Sequence, residues 1–335
     1  MSLLTRTCYT ASVVYNGLGT ARADGAVVVQ TSDTQRHIVA VTSAAEAIGA
    51  FPDAQHEQVG FAILPVPASA YVDLCGLGAD EVKACTNRLE QPCCYGFVSD
   101  DIRIVRKLLT NPQHEGVIYW QAPQVTLTGD TSAWLMNLAK TLNDLRQLTP
   151  NQLQLGLCLA LPYLKMGDAR RLCHYLTQTQ TPLQLNLRQA SDLTSYLADP
   201  GIQTLLTVNP SIHLPVNIGA DDDAALEAVI THLSKHTCTV IYCPHDYVGD
   251  ARARFPWEKF MSQGVEVAFG SGDAIEVGLE QLVHSAQQQQ GTHASPLALV
   301  RAAVKGGYRA LQMTPPRFIR GDSADGLVFW QGKGS

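Results

Sequence analysis

The run Cys243-Pro244-His245-Asp246 gathers a thiol, an imidazole and a carboxylate within four residues. A thiolate beside an imidazole and a carboxylate can act as a nucleophile. Sequence neighbours rarely form a catalytic pair, however, and a cysteine inside a fold is commonly just a small hydrophobe. The plainer reading leads: Cys243 is structural, and His245 and Asp246 line a pocket. His232 and His236 stand four apart on an expected helix, so both could reach one metal ion. The glutamate that accompanies such a pair is missing, because position 233 is Leu. Both histidines lie away from the apolar stripe of Leu226, Val229, Ile230 and Leu233, which reads as two solvated side chains. The run Asp221-Asp222-Asp223 suits a helix N-terminus, where the helix dipole favours acids, better than a cation site.

The elements that must position these residues follow from the apolar pattern. Short apolar runs predict strands at Ala70–Leu74, Cys94–Val98, Gly116–Trp120, Leu153–Leu159, Leu183–Leu187, Ile212–Asn217, Thr239–Cys243 and Val265–Gly270. Amphipathic segments separate them, such as Asp221 to His236. This alternation implies a parallel sheet, and eight strands imply a closed (β/α)8 TIM-like barrel, with an open doubly wound sheet as the competing topology. Before residue 66 the pattern is different. Val13–Tyr15, Ala26–Val29 and His37–Val41 read as strands, with turns at Asn16-Gly17 and Asp24-Gly25. The segment Ala324–Trp330 is β again and can return to pair with them. The expected division is a small β-sandwich-like domain from residues 1–66 and 308–335, and a barrel from 67–307.

Composition excludes several roles. At 335 residues, 46% hydrophobic and 16% charged, the chain is globular. A net charge of −6 without a Lys/Arg run gives no footprint for nucleic acid or for an anionic membrane. Nine cysteines share no spacing, and the adjacent Cys93-Cys94 fits neither a disulfide nor a zinc knuckle, so reduced thiols and a cytoplasmic protein are expected. The N-terminal residues carry no signal-peptide pattern.

Read in order, these segments resemble the amidohydrolase superfamily, in its branch of cytosine-deaminase and chlorohydrolase-like enzymes. Val14-Tyr15-Asn16-Gly17 through Val27 resembles the opening strands, and Ala70-Tyr71-Val72-Asp73-Leu74 stands where the family has Ala-His-x-His-Leu. Leu159-Ala160-Leu161-Pro162-Tyr163, Pro182 to Gln189, Val240 to Pro244, and Gly264 to Ser271 match four later strand ends. The family resemblance implies hydrolysis of a non-peptide carbon–nitrogen bond at a Zn, Fe or Mn centre, held by histidines and an aspartate at strand ends.

By that register the metal positions hold other residues. The first-strand pair is Tyr71 and Asp73, the fifth-strand histidine is Asn186, and its acid/base glutamate is Gln189. The sixth-strand histidine is Leu214, with His213 beside it on the opposite face; the eighth-strand aspartate is Gly272, with Asp273 one place on. The substrate-facing histidine after the fourth strand is Ala160. Tyr71, Asp73, Ala160, Asn186, Arg188, Gln189, Leu214, Asn217, His245, Asp246, Gly272 and Asp273 form the candidate pocket. The expectation is a pseudoenzyme with no metal cofactor, binding a small molecule or assembling with itself or an active paralogue. The alternative is a working deaminase of a cyclic amine or nucleobase.

Overall fold

The computed structural model describes residues 4–331 apart from 20, 34, 90–91, 111–112, 125–129, 216–217, 219–222, 248–254, 275–276 and 292–293. The chain opens with β1 (Thr5–Tyr15), β2 (Ala21–Thr31), β3 (Arg36–Ser43) and β4 (Gln55–Pro65). Asn16-Gly17 begins the turn between β1 and β2, and Gly17 takes φ +81° there. Asp24-Gly25 is no turn. The pairing of Val13 with Ala23 and Ala11 with Gly25 carries β2 straight through it, and Asp24 absorbs a local kink at φ +45°.

Eight strands follow: β5 (Ala68–Asp73), β6 (Cys94–Ser99), β7 (Glu115–Ala122), β8 (Leu153–Ala160), β9 (Leu183–Asn186), β10 (Ser211–His213), β11 (Thr239–Tyr242) and β12 (Glu266–Phe269). They are almost wholly buried and most are mainly apolar, as expected of strands covered on both faces, though β9 (Leu-Gln-Leu-Asn) and β10 (Ser-Ile-His) carry polar residues. They pair in parallel in sequence order, with helices between them. The ring closes just beyond β12: Ser271 N–H donates to Tyr71 O at 2.9 Å and Asp73 N–H to Gly272 O at 3.1 Å. This is the (β/α)8 barrel expected from the alternation.

The last strand, β13 (Leu327–Trp330), lies antiparallel to β4, so both ends of the chain build a second sheet in the order β13-β4-β1-β2-β3. The main apolar core fills the barrel and its helix layer, and a smaller one, including Val27, Ile38, Ile63 and Phe318, lies against the second sheet. Among the described residues, no helix is long and apolar enough to cross a membrane.

Candidate active site at the barrel mouth

The C-terminal ends of the barrel strands are where loops assemble binding sites in this architecture. Asp73 ends β5, Ala160 ends β8, Asn186 ends β9 and His213 ends β10; Cys243 follows β11 and Gly270 to Asp273 follow β12. A cleft of about 730 Å3 opens there, lined by Asp73, Gln121, Asn186, Arg188, Gln189 and Asp273 among others.

The side chains form one network. Asp73 accepts the Tyr71 hydroxyl at 2.8 Å and the Cys75 backbone N–H at 3.0 Å. Asn186 Nδ2 donates to the Tyr71 hydroxyl at 3.3 Å. Burial first, and the Asp73 carboxylate second, push the Tyr71 phenol well above its ordinary range, so it stays protonated and donates. Arg188 stands among three carboxylates: 3.3 Å from Asp273, 3.7 Å from Asp246 and 4.0 Å from Asp73. Burial disfavours its charge, but Asp246 and Asp273 more than restore it, and its pKa is raised. Three carboxylates against one guanidinium leave two formal negative charges in surplus at the mouth.

Deeper in, His213 Nε2 lies 3.2 Å from Asp246 Oδ2, and its ring meets Tyr71 edge-on at 4.6 Å. Burial lowers the His213 pKa against the pull of Asp246, which favours a neutral imidazole. Its Nδ1 is buried with no partner among the described residues. His213, Cys243 and Asp246 offer donor atoms that all lie within 4.8 Å of one another. In tetrahedral zinc sites, with bonds of about 2.0–2.3 Å, donors stand roughly 3.3–3.8 Å apart, so a small closure brings these three onto one ion. A His, Cys, Asp set leaves a fourth position open, as catalytic zinc sites do. The two glycines of the closing segment make room for this cluster. A Cβ on Gly272, at φ +54°, would stand 3.1 Å from Asp246 Oδ1, and one on Gly270 would stand 3.0 Å from Cys243 Sγ.

The structure departs from the sequence register at β10. His213, not Leu214, is level with Asn186 on β9, and its ring enters the cluster while Leu214 is buried outside the cleft lining. Ala160, Arg188 and Gln189 line the cleft, and Gly272 carries the barrel closure. Asn217 lies outside the described residues, as do Asp221 and Asp222. His245 does not line the cleft, and its Nε2 is buried without a partner among the described residues. Cys243 is not poised as a nucleophile, because burial pushes its thiol well above the ordinary value. His232 and His236 both meet Gln203, at 3.2 and 3.3 Å, instead of standing free in solvent. Sequence reasoning missed Cys75, Gln121 and Gln124, which line the cleft. Cys75 and Gln121 each lie one residue past an expected strand end, at Leu74 and Trp120, and that position was the available signal.

No family model matches the chain. An aminodeoxyfutalosine deaminase of Deinococcus radiodurans is 25% identical over 397 aligned positions, covering 96% of this chain and 90% of that protein. Among solved structures, an adenosine deaminase of Xanthomonas campestris with bound zinc has a TM-score of 0.57 at 14% identity, covering 97% of this chain and 84% of that one. The Helicobacter pylori aminofutalosine deaminase has a TM-score of 0.57 at 13% identity, covering 96% and 91%. These findings correct the expectation that the chain takes no metal: a similar barrel holds zinc, and in this one the donor atoms of His213, Cys243 and Asp246 lie near enough together that they could hold an ion. The similarity to deaminases also favours the deaminase alternative over a non-catalytic homologue.

Proposed function

We propose, from a chain that belongs to the amidohydrolase superfamily, that this protein hydrolyses a non-peptide carbon–nitrogen bond, releasing ammonia from an amino-substituted ring such as a cyclic amine or nucleobase. The observation that carries the reading is the convergence of the His213–Cys243–Asp246 donor set with the Asp73 and Arg188 network at one end of the barrel. A divalent ion on the three donors would supply a bound water of lowered pKa. Such an ion also answers the two surplus negative charges at the mouth.

The chain's own residues do the rest. Asp73 is the proton carrier: held by the Tyr71 hydroxyl and the Cys75 N–H, its carboxylate takes a proton from the attacking water and passes it to the leaving amine. Water and the amino-substituted carbon become a ring carbonyl and ammonia. The amides of Gln121, Asn186 and Gln189 offer both donors and acceptors to a ring edge, and Arg188 restrains the carboxylates around it. A deaminase of Deinococcus radiodurans that aligns with 96% of this chain supports amino-bearing substrates as the class to screen.

The test is ammonia release by protein loaded with zinc, manganese or iron, across aminopurines, aminopyrimidines and their nucleosides. Turnover of at least one, falling by about 100-fold or more in Asp73→Asn, is expected from loss of a general acid–base group. Failure of every metal-loaded form on the whole panel overturns the reading, and full activity in Asp73→Asn removes that residue from it.

A further inference from the structure

A second cavity lies at the opposite end of the barrel from the mouth. It encloses about 690 Å3, a size suited to a small metabolite. Gln154 and Leu155 at the start of β8, Thr181 just before β9 and Asn209 just before β10 line it, with Arg146 at one wall. Bottom-face residues of such barrels stay out of the chemistry.

Three observations single it out. First, Arg146 is the one charged side chain in the lining, and the lining holds no carboxylate. The guanidinium is fixed in place: Nη1 donates to Asn143 Oδ1 at 2.8 Å, Nη2 donates to Thr181 Oγ1 at 2.8 Å, and its carbon lies 5.9 Å from the Tyr175 ring centre. Among the described residues it makes no ion pair, and both acceptors it uses are neutral. A guanidinium has five N–H donors, so several remain for a ligand. Second, hydroxyls and amides surround it. Thr179 and Thr181 share a hydrogen bond at 2.8 Å, and Thr149, Thr177 and Gln180 complete the wall. Third, Gln180, Asn209 and Gln312 all take left-handed backbone, at φ +49°, +57° and +55°, and all three line this cavity. Each follows the end of a helix, capped at two of them by Thr181 N–H to Leu176 O and Met313 N–H to Tyr308 O, both at 2.9 Å, and together these helix ends bring three amide side chains to one rim. Gln312 Nε2 pins the rim by donating to Val208 O at 3.3 Å and Asn209 O at 3.0 Å.

We infer that this cavity binds a small hydroxylated oxyanion, with its phosphate or carboxylate on Arg146 and its hydroxyls on the threonine and glutamine wall. A pre-positioned, uncompensated guanidinium recognises the oxyanion by charge-assisted hydrogen bonds. The mixed donors and acceptors around it match a sugar-like body rather than a bare ion. The inference is independent of the reaction at the mouth.

Isothermal titration of the full chain tests it with four probes: glucose 6-phosphate, gluconate, glucose and inorganic phosphate. Saturable binding of one of the first two is expected, and which of them binds tells a phosphate ester from a sugar acid. Arg146→Met should weaken that binding at least about tenfold, as loss of a charged hydrogen-bonding partner does. Thr177→Glu, at an exposed helix position, should do the same by placing a carboxylate on the wall without disturbing the Arg146 contacts. No saturable binding at roughly millimolar probe overturns the inference. So does glucose or free phosphate binding as well as the hydroxylated anions, or unchanged affinity in both folded variants.

Discussion

At the scale of single residues, the mouth depends on His213, Cys243 and Asp246, which reach one another from β10 and from the segment after β11. Cys243→Ser and Asp246→Asn should each weaken zinc affinity by more than the ~10–100-fold typical of losing a residue that only orients a ligand. Competition against a chromophoric chelator measures this, and unchanged affinity in both variants would remove the donor set from metal binding. Asp246→Asn should also release Arg188 and His213, so its melting temperature is a necessary companion measurement. His213 supplies a pH prediction. Its folded pKa is depressed below 6.5 by burial, so the unfolded chain binds more protons as pH falls through that value. The stability that neutral His213 contributes is therefore complete above 6.5 and is lost as pH falls toward the folded pKa. Imidazole NMR on chelator-treated protein should find His213 still neutral where an exposed histidine has become half protonated. A His213 resonance that titrates at or above 6.5 contradicts the burial argument.

At the scale of elements, the closing segment after β12 brings Gly270 and Gly272 against Cys243 and Asp246. Gly272→Ala would have to keep φ +54° and would push a methyl carbon to 3.1 Å from Asp246 Oδ1. We expect a cost of about 1–3 kcal/mol in denaturant unfolding, together with weaker zinc binding, since the carboxylate is the group that yields. Full stability with intact zinc affinity would show that the segment has slack. The eight barrel strands were legible because doubly covered strands are short and mainly apolar, as in Leu155 to Ala160. The strand β4 was not, because it opens on Gln55-His56-Glu57-Gln58, exposed residues that hide its pairing beside β1. Nor was the face of His213. The expected strand ran from Ile212 to Asn217, but β10 ends at His213, and Pro215 follows, which lacks a ladder donor. A register inferred from family motifs cannot see a strand stop early, and a slip of one residue exchanges the two faces. Cys243 and Asp246 were visible as chemistry-bearing residues, but their meeting with His213 is a tertiary fact carried by β10 and β11 lying side by side.

At the scale of the whole molecule, the last barrel strand must be held to the helical stretch from which the chain leaves for the second sheet. Glu266 opens β12 and is buried, with Arg301 at 2.7 Å, Lys305 at 2.5 Å and Arg309 at 3.6 Å. All three cations come from the helical stretch running from Pro296 to Ala310, after which the chain returns to β13 in the second sheet. Burial alone would raise the Glu266 carboxyl, but the bonds from Lys305 and Arg301 outweigh it and hold it below its ordinary value. The stability from this cluster is therefore complete above the ordinary glutamate range and is lost as pH falls through the depressed folded pKa. Glu266→Gln leaves three cations facing one another. Removing one partner of a buried pair costs ~3–5 kcal/mol, but these cations are more than a third exposed, 35–37% for each side chain, and solvent screens them. A loss of about 2 kcal/mol is the expected result, and the variant should lose part of the wild-type decline in stability below pH 4.5. Replacing Arg301 and Lys305 by Met on top of Glu266→Gln should recover some of that loss, because it removes the uncompensated charge. If Glu266→Gln melts with the wild type at pH 7 and keeps the same acid limb, the cluster adds no stability and β12 is held to this helical stretch by apolar packing alone.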